Sequence, residues 1–404
     1  GDLLVLDAPH LFSRAGNPYA DASGNDWQDN PERFAALSLA AAMVGWGALK
    51  GYLPDVVHAH DWQTALTPAY LHYLGTGKHQ PKTVLTIHNL AFQGQFPAKV
   101  FARLGMPDAA YSIDGVEYYG GVGYLKAGIQ FANAITTVSP TYAAEICTPQ
   151  GGMGLDGLLR ARGEAVSGVV NGIDMAIWNP AVDADLAQTF DSKTIEQRAV
   201  NKQAVEAHFN LPHSDAPIFF FFSRLTWQKG IDLIIEAIDE IVATNTRLVI
   251  LGNGDKALEA AIYAAVRKHP THVGVHVGYD EGISHLMQGG CDAILVPSRF
   301  EPCGLTQLYG LRYGCVPIVA KVGGLADTVI DANDAALTAG VATGVQFHDV
   351  SKAGFVAAIY RSVRLYHQPD VWRSIQTAGM ASDVAWRRSA MRYARLYRGL
   401  LNES

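Results

Sequence analysis

Two loops in the C-terminal half of the chain carry residue types that could bind a phosphorylated ligand. The first loop is Ser223-Arg224-Leu225-Thr226-Trp227-Gln228-Lys229-Gly230, which follows an apolar run and precedes a helix-like stretch from Ile231. Arg224 and Lys229 thus flank a loop that leads into a helix N-terminus, where free backbone N–H groups favour phosphate. In a transfer reaction two such cations would stabilise the charge that grows on a departing diphosphate. The alternative is an Arg and a Lys in a solvated surface turn.

The second loop, Ser298-Arg299-Phe300-Glu301-Pro302-Cys303-Gly304-Leu305-Thr306, also follows an apolar run. The Glu301 carboxylate can accept hydrogen bonds from sugar hydroxyls, and Gly304 permits a ligand to approach the backbone closely. The N–H groups of Leu305 and Thr306, with the Thr306 hydroxyl, could hold a phosphate at the start of a helix. Alternatively, Glu301 is a capping or ion-pair residue.

Polar residues also follow two apolar runs in the N-terminal half of the chain. The first run ends in His58-Ala59-His60-Asp61-Trp62, whose polar groups and indole suit a carbohydrate. A metal site there is disfavoured, because we expect alternate residues of a strand to point to opposite faces. Asp61 could instead cap the next helix. After the second run, His88 either bonds a ligand hydroxyl or is a satisfied core histidine.

Other motifs narrow the class of reaction. Leu251-Gly252-Asn253-Gly254-Asp255 lacks the third glycine of a dinucleotide fingerprint, since Ala257 stands in its place. A tight turn in which Asp255 caps the next helix is sufficient to explain this segment. Tyr279, after Gly278 at the end of a further apolar run, could stack on a nucleobase. P-loop, Ser-His-Asp elbow and HExxH motifs are absent from the sequence.

The elements that must position these loops are short apolar strands separated by helices. Such strands, buried on both faces, indicate parallel sheets in an α/β, doubly wound architecture. The clearest crossover helices are predicted at 231–242 and 257–266. A less regular region separates two series of strands, and we place the domain boundary near residue 165. The predicted strands are 56–60, 83–88, 135–139, 218–223, 247–252, 273–277, 293–297 and 316–320.

Composition limits the classes of protein. The 404 residues suffice for two or three domains, and 49% of them are hydrophobic. A net charge of −7 with no Lys/Arg run disfavours nucleic-acid binding, and no apolar run reaches the roughly 20 residues that span a membrane. The four cysteines form no CxxC pair, which favours a reduced, cytoplasmic setting. Cys303 has no His or Asp at an activating spacing, so we expect a packed, modestly exposed thiol.

Taken together, these segments resemble the bacterial glycogen synthase and plant starch synthase family, which are retaining glucosyltransferases of the GT-B fold. The resemblance implies two Rossmann-like domains, 1–165 and 166–382, facing a central cleft, with a C-terminal helix at 383–404 that packs back on the first domain. The matching segments are His58 to Trp62, Thr86 to Gly94, Val138 to Tyr142, Val170 to Asp174, Ser223 to Gly230, Glu301 to Tyr309 and Gly323 to Val329.

The resemblance implies transfer of glucose from ADP-glucose to the non-reducing 4-OH of an α-1,4-glucan, with retention and without a metal or cofactor. Arg224 and Lys229 would bind the diphosphate, and Glu301 the donor glucose. The remaining expected site residues are His88 and Asn89 against the donor sugar with Asp61 nearby, Gly278 and Tyr279 beside the adenine, Cys303, Gly304, Leu305 and Thr306 around the distal phosphate, and Trp62 and Asn171 on the acceptor side.

Two departures from the wider pattern matter. The second glutamate that many GT-B enzymes carry eight residues after the first is Tyr309 here, as is usual in this branch. The family's opening strand and Lys-x-Gly-Gly loop are not found, so we expect an N-terminally incomplete chain whose first domain lacks its opening strands and which binds donor weakly.

The residues leave other activities open. One is a GT-B enzyme with another nucleotide sugar, such as a UDP-sugar; another is an inactive glucan-binding derivative. A nicotinamide dehydrogenase is disfavoured by the broken glycine fingerprint. No pair of carboxylates in the sequence resembles that of a retaining hydrolase. The resemblance implies attack on the same face of the sugar, assisted by the leaving phosphate.

Overall fold

The computed structural model describes residues 2–75 and 77–402, which form two compact units. Unit 1 is the chain up to Val169 together with the stretch from Arg392 onward, and unit 2 runs from Val170 to Met391. All four cysteines are free thiols. Within the described ranges, none of the helices is long and apolar enough to cross a membrane.

Unit 1 is built on a parallel sheet in the strand order β1-β2-β6-β7, with a small antiparallel sheet in the order β3-β5-β4. Leu85 and Ile87 of β2 are fully buried, as expected of a strand covered on both faces. The strands are β1 (Val56–His60), β2 (Lys82–Ile87), β3 (Gln95–Pro97), β4 (Glu117–Tyr118), β5 (Gly121–Gly123), β6 (Ala134–Thr137) and β7 (Val166–Gly168).

Helices pack on this sheet through buried apolar side chains, as Leu125 and Ile129 do in one cluster with Leu85 and Ile87 of β2. Ser139 caps the N-terminus of α6, where its hydroxyl accepts the N–H of Tyr142. The helices of unit 1 are α1 (Pro9–Phe12), α2 (Asn30–Gly45), α3 (Asp61–Thr64), α4 (Leu66–Leu74), α5 (Tyr124–Phe131), α6 (Pro140–Glu145) and α7 (Asp156–Arg162).

Unit 2 is built on a six-stranded parallel sheet in the order β10-β9-β8-β11-β12-β13. The central strand β8 is buried on both faces, because Phe219 and Phe221 pack into one apolar cluster and Phe220 into another. The two predicted parallel sheets are therefore confirmed. The strands are β8 (Ile218–Phe222), β9 (Arg247–Gly252), β10 (Val273–Val277), β11 (Ala293–Val296), β12 (Val316–Ala320) and β13 (Val345–Phe347).

The helices of unit 2 agree with the predictions at one crossover and differ at the other. Asp255 caps α11, where its carboxylate accepts the N–H groups of Ala257 and Leu258. The single helix predicted at 231–242 is wrong, because the backbone at Ala237 (φ −103°, ψ 4°) leaves helical geometry and divides it into two. The helices are α8 (Arg198–His208), α9 (Ile231–Glu236), α10 (Ile238–Ala243), α11 (Lys256–Lys268), α12 (Glu281–Gly290), α13 (Thr306–Tyr313), α14 (Gly323–Thr328), α15 (Asp334–Thr338), α16 (Lys352–Tyr366) and α17 (Pro369–Met380). The last helix, α18 (Trp386–Asn402), begins in unit 2 and belongs to unit 1 from Arg392 onward.

The topology of unit 2 brings the candidate loops to one edge of the sheet. Strands β8, β10 and β11 belong to the same parallel sheet, so their carboxyl ends point in one direction. The loop at 223–230 follows β8, residues 278–279 follow β10, and the loop at 297–305 follows β11. This edge is where a doubly wound sheet binds ligands.

Candidate active site

Lys229 and Glu301, two candidate substrate-binding residues on different loops, contact each other directly. Lys229 Nζ lies 2.6 Å from Glu301 Oε2, and the Ser298 hydroxyl donates to the same oxygen at 2.9 Å. The Lys229 and Glu301 side chains are only 17% and 8% exposed. They line a pocket of about 70 Å³ together with Ser298, Gly304, Leu305 and Thr306. Of the two interpretations of Glu301, the ion pair is observed, and it lies in a pocket.

The two loops are held in register by backbone contacts. The Arg299 N–H donates to the Gln228 carbonyl at 2.9 Å, and the Gln228 amide donates to the Phe300 carbonyl at 3.3 Å. Gly230 has φ +71°, and a Cβ there would lie 2.1 Å from the Pro297 carbonyl oxygen. Only glycine therefore allows the chain that carries Lys229 to approach the end of β11 this closely.

Arg224 is exposed, unlike Lys229. Its neighbour Leu225 is fully buried and forms an isolated parallel bridge with Gly254, which fixes the backbone at this point. Across residues 2–75 and 77–402, the Arg224 guanidinium has no hydrogen-bond or ion-pair partner. Its five N–H donors are therefore free to bind an anion.

The segment from Glu301 to Thr306 is fixed by buried polar contacts before α13 begins. The fully buried Gln307 side chain donates to the carbonyls of Cys303 and Gly304 at 3.0 and 2.9 Å. The Gly324 N–H donates to the Glu301 carbonyl at 3.0 Å. Thr306 is the first residue of α13, so the N–H groups of this turn have no acceptor within the helix and can bind an anion.

Cys303 lies in this fixed segment as a buried thiol, 6% exposed. Burial raises its pKa to about 12, although the Asn171 backbone N–H donates to the sulfur and opposes the rise. The predicted packing is confirmed, but the modest exposure is wrong, because the backbone of Gly324 covers this segment. A thiol with so high a pKa is not a nucleophile at neutral pH.

Tyr279 is exposed on the same sheet edge. Its ring is 72% accessible and lies 6.4 Å from the Phe222 ring, centroid to centroid, at the end of β8. Gly278, with φ +147°, donates its N–H to the Gly252 carbonyl and so turns the chain after β10. The phenol face of Tyr279 is thus available for stacking.

A buried aromatic stack that was not predicted from the sequence includes residues of α12 and α13. The Trp178 ring stacks between Tyr309 at 3.6 Å and His285 at 3.9 Å, so the position that carries a glutamate elsewhere is a packing residue. His285 Nδ1 lies 2.7 Å from Asp183, and the Tyr313 hydroxyl donates to the same carboxylate. Burial opposes ionisation, yet these bonds lower the pKa of Asp183.

His285 of this stack also belongs to a group of possible metal ligands, the one such group found among the described residues. Its members are Asp183, Asp185 and His285, whose ligand atoms lie within 4.8 Å of one another. The Asp183 carboxylate is already bonded by His285 and Tyr313, and its other oxygen accepts the Asp185 N–H at 3.0 Å. The arrangement is a satisfied hydrogen-bond network that ties α12 to the segment before α8.

In unit 1, Asp61 is bound to the loop after the neighbouring strand. Its Oδ1 accepts the N–H of His88 at 2.7 Å, and its backbone has φ +55°. The alternative that Asp61 caps α3 is wrong, because His60 occupies the cap position and the Asp61 carboxylate points to the His88 loop. Burial raises the pKa of Asp61, while the charge and N–H of His88 oppose the rise.

The histidines beside Asp61 share one face of the sheet. The His58 and His60 rings stack with centroids 4.3 Å apart, and His60 Nδ1 lies 3.0 Å from His88 Nε2. The reason given against a metal site is therefore wrong: residues two positions apart on a strand project from the same face. His88 is half-buried, and its ring bonds another histidine.

The other two expected residues of unit 1, Trp62 and Asn89, have contacts that explain their residue types without a ligand. Trp62 is half-buried in an aromatic cluster with Phe34 (4.7 Å) and Phe96 (5.8 Å), so packing alone accounts for an indole at this position. The Asn89 side chain accepts the Ala91 N–H at 3.0 Å, which shapes the turn that carries His88.

Comparison with known proteins gives consistent similarities along the chain. Residues 2–161 match the family described as starch synthase catalytic domain, and residues 204–361 match glycosyl transferases group 1. A glycogen synthase of Mesorhizobium japonicum is 58% identical over 402 residues, which cover 100% of this chain and 83% of the relative. A glycogen synthase of Novosphingobium aromaticivorans is 60% identical over 402 residues, covering 99% and 83%.

A solved structure extends the similarity to three dimensions. The catalytic domain of starch synthase IV from Arabidopsis thaliana, bound to ADP and acarbose, superposes with a TM-score of 0.88 at 32% identity. The match covers 98% of this chain and 81% of the plant chain.

Proposed function

The chain belongs to the glycogen synthase family of glucosyltransferases, and from that membership we propose how its residues transfer glucose from ADP-glucose to an α-1,4-glucan. The observation that carries this proposal is the Lys229–Glu301 contact at 2.6 Å in a pocket beside the N-terminus of α13. That pocket offers a cation, a carboxylate and free N–H groups within one small volume.

Arg224 and Lys229 bind the diphosphate of the donor in this proposal. The five N–H donors of Arg224 are unpaired within the described residues, and the first turn of α13 adds backbone N–H groups at Thr306. Glu301 accepts hydrogen bonds from the donor hexose once Lys229 turns to the phosphates. Tyr279 offers its exposed ring to the adenine.

The proposed transfer step combines these charges with the same-face attack that the family resemblance implies. The bond between glucose C1 and the diphosphate oxygen breaks, and the acceptor 4-OH forms the new C1–O bond on the same face. The proton of that hydroxyl passes to the departing diphosphate, so no protein base is consumed. The cations lower the barrier because negative charge grows on the leaving oxygen. Glu301 is ion-paired in the free protein, which suits a binding role better than that of a nucleophile.

The family resemblance supports the further parts of the proposal. These are the choice of ADP over UDP, retention of configuration, catalysis without a metal or cofactor, a cytoplasmic location, and sugar binding by His88, Asn89, Asp61, Trp62 and Asn171. Competition of ADP-glucose against UDP-glucose, with incorporation of labelled glucose into glycogen as the readout, decides the base.

Replacement of Arg224 tests the proposal. Arg224→Ala is expected to spare glucan binding, measured by affinity electrophoresis in glycogen gels, and to abolish transfer from ADP-glucose. Arg267→Ala, which removes an exposed arginine from α11, is the matched control and is expected to retain both. Equal loss of binding and transfer in Arg224→Ala, or no loss of either, refutes the role of the charge.

A further inference from the structure

Three histidines of unit 1 form a row that ends at His88. The His58 and His60 rings stack with planes 22° apart, and the His60 and His88 rings follow at 5.3 Å with a hydrogen bond of 3.0 Å between their nitrogens. A bond between two imidazole nitrogens holds one proton, because one nitrogen must donate and the other accept. The protonation of His88 is thereby tied to that of His60.

The other end of the row is fixed by the C-terminal helix. The Tyr397 hydroxyl of α18 lies 2.7 Å from His58 Nδ1, and the Thr86 hydroxyl lies 2.6 Å from His58 Nε2. A phenol is more acidic than an aliphatic alcohol, so Tyr397 donates to Nδ1 and the Nε2–H of His58 donates to Thr86. Thr86 in turn bonds Thr136 at 2.5 Å. These bonds leave neutral His58 a single tautomer and a fixed ring plane.

The surroundings favour the neutral form of His58 and His60. Burial, followed by the proximity of His60 and His88, lowers the pKa of His58 to about 3. Burial and then His88 lower the pKa of His60. The titratable groups that face the row from the packed elements are Tyr393 and Tyr397 of α18, Asp61 of α3 and the three histidines themselves. Asp61 is the acidic member of this set, and it bonds the backbone of His88.

We propose that Tyr397 and His58 are positioning residues, which set the orientation of the His88 ring through His60, whose ring stacks on His58 and is hydrogen-bonded to His88. The inference rests on the proposed function, because His88 is the member of the row expected to face the donor sugar. Tyr397 acts through His58, with which it shares the 2.7 Å bond. In this proposal the Tyr397 hydroxyl of the C-terminal helix fixes His58 and thereby helps to position the ring of His88.

The chain supplies a matched pair of tyrosines for the test. Tyr393 and Tyr397 are one helical turn apart, and both rings contact His58, at 5.4 and 5.8 Å. Tyr397 bonds the imidazole through its hydroxyl, whereas no such bond joins Tyr393 to it in the part of the chain that the structure describes. Tyr397→Phe therefore removes the proposed contact, and Tyr393→Phe removes a hydroxyl of the same kind without it.

Histidine-selective NMR titration of the full chain and the pH profile of kcat are the two readouts. Tyr397→Phe is expected to shift the ring resonances and titration midpoints of His58, His60 and His88. It is also expected to lower kcat about 2- to 10-fold, with the KM for ADP-glucose unchanged, as for loss of one hydrogen bond. Tyr393→Phe is expected to match the unsubstituted protein in both. Signals are assigned with single histidine variants.

Identical titrations and kcat in the two tyrosine variants overturn the proposal. If Tyr397→Phe does not fold, His58→Gln is tested instead. Glutamine can still bond Tyr397 and Thr86, but it lacks the ring that stacks on His60. Unchanged titration of His60 and His88 in this variant overturns the proposal. His88→Ala separates the two hypotheses. Unimpaired transfer in that variant refutes the sugar-facing role of His88, while the titrations still decide whether Tyr397 and His58 position its ring.

Discussion

Lys229 Nζ and Glu301 Oε2 are 2.6 Å apart, so the cation proposed for the diphosphate and the carboxylate proposed for the hexose neutralise each other in the free protein. Both side chains are largely buried, and a buried charge without a partner is costly. The pair therefore holds both side chains in place in the free protein, and donor binding as proposed requires that the pair separate.

A double-mutant cycle tests how strongly this pair is coupled. Lys229→Met leaves the Glu301 carboxylate with the Ser298 hydroxyl as its remaining partner, and we expect the free energy of unfolding to fall by roughly 3 kcal/mol. Adding Glu301→Gln should restore part of the loss. The exposed pair Lys268–Asp239 is the control, with an expected coupling below about 1 kcal/mol. Equal coupling in the two cycles, measured by urea unfolding, contradicts the account.

Gly230 is predicted to be essential for the position of Lys229. Gly230→Ala combines a φ of +71° with a Cβ 2.1 Å from the Pro297 carbonyl, so we expect destabilisation and a higher KM for ADP-glucose. Gly340→Ala has a similar φ of +67° but open space around the Cβ, and should cost only about 1 kcal/mol. If thermal unfolding shows equal losses, the close approach to β11 does not matter.

The strands and the loops after them could be predicted from the sequence because unalternating apolar runs follow from burial on both faces. The ion pair of Glu301 could only be left as one of two alternatives, since residue types do not show which loops a sheet brings together. The Trp178 stack was missed because its members are far apart in sequence and each is a common core residue. The three strands between Gln95 and Gly123 are too short to show a period.

Acid is predicted to destabilise the protein partly through His58. Its pKa is about 3 in the folded protein against an ordinary 6.5, so the unfolded chain binds one more proton between these values. The free energy of unfolding should fall as pH drops below about 6.5, with a contribution from His58 of up to about 1.4 kcal/mol per pH unit. Above that pH the titration of His58 should not affect the free energy of unfolding. Urea unfolding of His58→Gln from pH 7 to pH 4 should show a shallower decline. An equal decline contradicts the buried neutral state of His58.

The cysteines are predicted to react with iodoacetamide in order of burial. Cys147 is half-buried, whereas Cys291, Cys303 and Cys315 are buried, and burial raises the pKa of Cys315 and Cys303 to about 12. Peptide mass spectrometry at pH 8 should find Cys147 modified first, with transfer activity retained. Early modification of Cys303 would show that the Glu301 loop opens, contrary to its fixed backbone.

Calorimetric titration with ADP and with ADP-glucose tests the division of roles most directly. We expect Arg224→Ala and Lys229→Met to weaken both ligands, because each loses a contact to the diphosphate. Glu301→Gln should weaken ADP-glucose about 10-fold or more while leaving ADP binding intact, because in the proposed complex this carboxylate bonds the hexose and not the diphosphate. If Glu301→Gln weakens ADP and ADP-glucose equally, or neither, Glu301 does not hold the sugar and the proposed site is wrong.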